Sequence, residues 1–247
     1  MKTKQMMISM LLCLTLLLAG CGAKTATDEG LSLTDTIRWF NASYAILTEV
    51  NGLDYNRFAG APANATMKQL EIASLEKWWG VTDRISADET LDWILSEGHR
   101  TQFAEDMVYL QEAGLGEVED RERFFLENSD LSSDEVQQII SQYEMYEQYG
   151  ENAIAGWDYC RALNLLSFYY LAGYYSEEEA LDKSLEIAQM VQPLYESWDD
   201  LIKSYLRGYE YWAEESSAER QAIYEELKTR DDNPYQVDFK TELTKTW

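Results

Sequence analysis

Proline is missing from the 130 residues between Pro62 and Pro193, and that gap constrains what this chain can build. An interior proline removes a backbone donor and costs a helix about 3 kcal/mol, so so long a proline-free run suits helices. Apolar residues recur through it at helical spacing. No stretch shows the sustained period-two alternation and Val/Ile/Thr enrichment of half-buried strands. A serine followed three residues on by an acid marks a helix start, because hydroxyl and carboxylate satisfy free amides reciprocally. Such pairs stand at Ser86/Glu89, Ser132/Glu135, Ser176/Glu179, Ser197/Asp200 and Ser216/Glu219.

The pattern predicts helices near 34–50, 66–79, 87–97, 100–113, 119–127, 133–149, 153–173, 177–195, 198–214 and 217–229, with a loop over 51–65. No linker divides the body. The fold class is all-α: a single compact domain of about nine or ten helices joined by short loops, spanning 31–230. Residues 231–247 read as a weakly ordered C-terminal tail, with Trp247 as a docking residue.

Composition narrows the function classes. There are 45 acidic against 20 basic side chains, a formal charge of -25, and aromatics make up 13%. That aromatic content excludes intrinsic disorder. The acidic balance, with no basic stripe, excludes nucleic acid as a partner. His99 is the only histidine, which removes multi-histidine metal sites. No phosphate loop, dinucleotide fingerprint or calcium loop occurs, so neither a metal nor a cofactor is assigned.

The N-terminus reads as an address. Lys2 and Lys4 precede an apolar run from Met6 to Leu18, and small residues follow. This is the layout of a signal peptide, and it is too short for a comfortable membrane span. The junction Leu18-Ala19-Gly20-Cys21 resembles the lipobox of bacterial lipoprotein precursors. That resemblance implies a signal peptide over 1–20, a lipidated Cys21 and an extracytoplasmic protein anchored to the bacterial cell membrane. Two acyl chains give stable anchoring where one is marginal. Residues 21–30 would then be the lipidated cysteine and a flexible tether. With Cys13 removed and Cys21 acylated, Cys160 stands alone and no intrachain disulfide can form.

The most distinctive segment runs from 153 to 214. Gly156-Trp157-Asp158-Tyr159-Cys160-Arg161-Ala162 leads to Tyr170-Leu171-Ala172-Gly173-Tyr174, then to Glu178-Glu179-Ala180, Ser197-Trp198, and Tyr205 with Gly208 and Trp212. Upstream lie Gly98-His99-Arg100 with Phe103, and Ala45-Ile46-Leu47 with Asn51. This succession resembles bacterial domain-of-unknown-function family twelve-sixty-six over roughly Leu31 to Glu214. The resemblance implies a helical fold and no established activity.

The residues themselves say more. The helix beginning near 153 is apolar on nearly every side, which marks it as central and buried. Asp158, Arg161 and Asn164 interrupt it at intervals of three, and Asp158 can pair with Arg161. A buried charge pair is costly unless its remaining hydrogen bonds are met. It is either an internal ion pair that fixes how helices dock or the polar floor of a ligand pocket. Tyr205, Gly208 and Trp212 share one helical face, where Gly208 admits another helix; with Trp157 they form either packing or an aromatic cradle. His99 follows Gly98 at a helix boundary, as a cap, a docking contact or a general base. Cys160 reads as a small buried hydrophobe.

These readings favour a non-enzymatic, lipid-anchored helical module that binds a protein, a peptide (either of them basic) or an envelope component. One alternative is an enzyme with a polar pocket around Asp158 and Arg161. Another is an acidic inhibitor or immunity-type protein.

Overall fold

The computed structural model describes residues 33–247; the signal-peptide and tether readings, and Cys21 with them, lie outside the described residues. Eleven α-helices and no strand occur among those residues: α1 (Asp35–Ser43), α2 (Ala45–Val50), α3 (Ala65–Trp79), α4 (Arg84–Ser96), α5 (Gly98–Glu112), α6 (Arg121–Asn128), α7 (Ser133–Tyr149), α8 (Ala155–Ala172), α9 (Glu177–Val191), α10 (Trp198–Ala213) and α11 (Ala218–Thr229). The expected first helix is two, because the chain leaves helical geometry at Tyr44. Ser43 Oγ turns back to the Phe40 carbonyl, and Tyr44 donates its hydroxyl to Asn41.

Ser132 and Glu135 form the reciprocal box at the start of α7. Ser176 and Ser197 cap α9 and α10 by accepting from the amides of Glu179 and Asp200. At α4 the cap is Asp83, with Ser86 in the third position and not at the cap, so this helix starts three residues earlier than expected. Asp83 competes well for that place because a carboxylate is as good an N-cap as a serine. At α11 Ser217 holds the cap position but its hydroxyl turns to Glu210 and caps no amide, and Ser216 accepts from the amide of Ala218 instead.

Helix α8 is the axis of the fold. Of its 18 residues, all but Phe168 and Tyr170 are buried. Helices α10, α9, α3 and α4 pack around it, as its all-round apolarity requires. Gly208 of α10 rests directly on Trp157: a Cβ there would lie 2.2 Å from the Trp157 Cβ. The main hydrophobic core extends from α1 through α8 to the tail, while a second, smaller cluster gathers Phe103, Met107, Leu115, Phe125, Val136 and Tyr143 beneath α5, α6 and α7.

The expectation of a weakly ordered tail is corrected. Residues 231–247 carry little regular structure beyond a 3-10 turn at Pro234–Gln236, yet they are strapped to the domain. The Trp39 indole donates to the Phe239 carbonyl at 2.9 Å, and the Trp198 indole donates to that of Val237 at 2.8 Å. Gln189 and Gln192 hold the carbonyls of Leu243 and Phe239. Phe239 and Leu243 are buried, and the Trp247 indole donates to Asp182. Buried carbonyls demand donors; here they come from side chains as far as 200 positions away in sequence, which no local pattern can announce.

Candidate functional site

The structure unites Asp158, Arg161 and His99, the polar residues that stood out in the sequence, at the junction of α4, α5 and α8. Asp158 has no solvent exposure. Its Oδ1 accepts from the His99 amide at 3.1 Å and from Arg161 Nη2 at 2.8 Å. Its Oδ2 accepts from the Arg100 amide at 3.0 Å and from Arg100 Nη1 at 3.2 Å. Four donors saturate a carboxylate. Helix α5 has no side-chain cap of its own, so Asp158 caps it from another helix and meets the positive end of its dipole. Burial pushes the Asp158 carboxyl up, but His99, the Arg161 charge and the two α5 amides outweigh it and hold it below the usual range.

Gly98 makes this approach possible. Its φ is +59°, and a Cβ would stand 2.3 Å from Asp158 Oδ2. Only glycine is at ease in that conformation, and only glycine leaves room for the carboxylate. Arg100 extends the junction: its guanidinium also donates to the carbonyls of Ile94 and Leu95 in the last turn of α4, where a cation complements the helix dipole. One carboxylate and one guanidinium therefore tie the end of α4, the start of α5 and the middle of α8 together.

Arg161 is buried too, and burial pulls its guanidinium down to about 10. Nε donates to the Trp157 carbonyl, and the group lies over the Trp157 ring at 4.2 Å and the Trp79 ring at 5.5 Å. Nη2 also reaches His99 Nδ1 at 2.8 Å. The same Nδ1 lies 3.5 Å from Asp158 Oδ1. The His99 side chain is 24% exposed and stands edge-on to Trp93. Asn164 is buried one turn further on and takes no part in this network.

The aromatic residues also converge. Trp157 packs against Tyr205, Tyr209 and Trp212 with ring centroids 5.3, 5.7 and 5.4 Å away. Tyr205 is buried and Trp212 is half exposed, while the Trp157 indole nitrogen is buried without an acceptor. Cys160 is buried, and burial pushes its thiol well up, away from the reactive thiolate.

A second feature had no sequence signal. Between α5, α7 and α10 opens a groove of about 390 Å³, within the range of roughly 300–1,000 Å³ typical of ligand pockets. Met107, Leu110, Leu131 and Ile139 give it apolar surface, and Asp106, Glu135, Glu210 and Glu214 give it charge. No lysine or arginine is among its described lining residues. Glu210 is buried and answered by Arg207 and Ser217. Asp106, Glu135 and Glu214 form no ion pair among the described residues. Ser132 holds the Glu135 carboxyl low, which keeps it ionised. Gln142 lies in the wall, 4% exposed, and no hydrogen bond reaches its side-chain amide among the described residues. Periodicity marks Gln138 and Gln142 merely as polar positions on α7; their meeting with α5 and α10 needed the tertiary fold.

Among the described residues no group of three or more His, Cys, Asp or Glu is placed to hold a metal ion. No helix there is long and apolar enough to cross a membrane.

The class defined by these features is an all-helical domain built on a buried, charge-knotted central helix. The model of the family described as "Protein of unknown function (DUF1266)" matches residues 74–239, and the chain belongs to that family. The matched span starts later and ends later than the expected Leu31–Glu214: it leaves out α1, α2 and the first half of α3, and takes in part of the tail. No curated protein and no solved structure matches the chain.

Proposed function

We propose that this protein is a lipid-anchored, extracytoplasmic binding module, held to the bacterial cell membrane through Cys21, whose groove between α5, α7 and α10 receives a segment of a protein or peptide partner. The groove carries this reading: it is apolar in part, open, and lined by Gln142, whose amide has no hydrogen bond among the described residues. The Asp158–Arg161 pair gives the enzyme alternative little support. Both groups turn inward, and the four donors on Asp158 leave no lone pair for a substrate proton.

The lipobox-like junction supports the anchor, and a domain held by its hydrophobic cores needs no disulfide outside the cell. Two experiments test the reading. Cells expressing the full chain are fed a labelled fatty acid; label is expected on the wild type and lost in Cys21→Ala. A photo-crosslinking side chain is then placed at Ile139 or, as a control, at the exposed Met190 of α9. A discrete protein adduct from Ile139 alone is expected. Equal adducts from both positions, or none from Ile139, would remove the groove from consideration.

A further inference from the structure

The chemistry of the groove defines its occupant more narrowly, on the reading that the groove is the binding site. We infer that it takes a short basic peptide segment, which inserts one or two apolar side chains between α5 and α7 and hydrogen-bonds to Gln142 through a peptide group. Three observations support this.

The first is Gln142. Its carboxamide offers both a donor and an acceptor, as a peptide group does. Gln142 lines the groove at 4% exposure with no hydrogen bond among the described residues, and its amide atoms are not sealed inside the wall. A peptide group lying along the groove supplies both complements at once. The second is the charge. Asp106, Glu135 and Glu214 edge the groove with no ion pair among the described residues: Gln102 and Tyr211 donate to Asp106 and Ser132 donates to Glu135, but no cation answers any of the three. Complementary charge on the partner sets specificity and speeds encounter. The third is the apolar surface of Leu110, Leu131 and Ile139, all partly buried. It excludes a bare inorganic cation as the fitting ligand, because a hydrated ion gains nothing from it. Tyr109 stands beside it, 71% exposed, at the place where a longer segment would leave the groove.

The test uses the full chain in a neutral detergent and three synthetic peptides of about a dozen residues. They share two leucines one helical turn apart and differ only in carrying lysine, glutamine or glutamate elsewhere. Affinities are read by calorimetry. The lysine peptide is expected to bind about tenfold more tightly than the glutamine one. Glu135→Gln with Glu214→Gln should weaken it about fivefold, while the equal charge change Glu89→Gln with Glu186→Gln, on α4 and α9, should change it less than about twofold. Gln142→Leu should weaken all binding peptides about three- to tenfold by removing one hydrogen bond.

If the lysine and glutamine peptides bind alike and Ile139→Asp removes both, the basic partner is wrong and the groove remains the site. If the control pair weakens binding as much as the groove pair, attraction is diffuse and the inference falls. If no groove substitution moves any affinity, the inference and the groove reading fall together. Circular dichroism of each variant separates lost binding from lost folding.

Discussion

The knot around Asp158 and the groove beside Gln142 treat buried polar groups in opposite ways. At the knot, four donors meet one carboxylate, and two arginines are spent on helix ends and on the same acid. At the groove, the Gln142 amide has no bond among the described residues, and three carboxylates on the lining have no counter-charge. The first arrangement is closed and specifies how helices dock. The second leaves free energy available to something that is not part of the chain. The motif richest in sequence character is therefore architectural, and the surface best suited to a partner lies where the sequence is plain.

The largest expected effect sharpens this contrast at the knot. Asp158→Ala strands two α5 amides and two guanidinium groups, and should destabilise the full chain by about 3–5 kcal/mol in urea unfolding. The double substitution Asp158→Leu with Arg161→Met should remain destabilised, because the amides of His99 and Arg100 would still lack an acceptor. A double variant as stable as wild type would show that the pair is no clasp. The pH dependence has a definite sign. The folded carboxyl is held below its unfolded value, so its contribution is complete above about pH 4 and is lost as pH falls through the folded value. Asp158→Ala should therefore show a shallower loss of stability in acid.

Next come the two close approaches. Gly208→Ala drives a methyl into Trp157, and Gly98→Ala adds backbone strain to a clash with Asp158. Each should cost about 1–3 kcal/mol, visible as a lower thermal midpoint. A neutral Gly98→Ala would mean that α5 can start without its carboxylate.

Glu71 tests whether the closed region is closed throughout. It is buried on α3, its Oε1 has no partner, and burial pushes its carboxyl up to about 7. A raised carboxyl favours folding while protonated; stability falls as pH climbs from the unfolded value, near 4.3, through the folded one. Glu71→Gln should therefore stabilise the protein by roughly 1–3 kcal/mol at pH 8 and change little at pH 5. Equal effects at both pH values would show that Glu71 is ionised and paired throughout.

The smallest effect lies in the groove. Gln142→Leu removes an unpaired polar group, so stability should be unchanged or rise by about 1 kcal/mol, even as peptide binding weakens. Stability and binding moving in opposite directions is what a site kept open for a partner predicts. A clear loss of stability would make Gln142 a structural residue like Asp158 and would abolish the contrast.

The residues also show where legibility ends. All-α architecture, the central helix and the caps at Ser132, Ser176 and Ser197 were readable, because each depends on neighbours within a few positions. Asp158 and Arg161 could be paired from their spacing, yet their tie to α5 could not, since Gly98 and Asp158 are 60 positions apart. The cap of α4 is ambiguous in the sequence because Asp83 and Ser86 both suit the role. The attachment of the tail is not legible there because it comes from the indoles of Trp39 and Trp198 and from two glutamines, none of them local.

By itself, then, the sequence determined the helical class, the buried axis and the acidic surface, because helix periodicity, propensity and net charge are properties of short windows or of sums. Tertiary structure alone decided that Asp158 caps a foreign helix, that the last seventeen residues are strapped down, and that α5, α7 and α10 leave a groove with an unanswered amide. Each of these depends on groups distant along the chain meeting within a few ångströms, and hydrogen bonds and desolvation act only at that range.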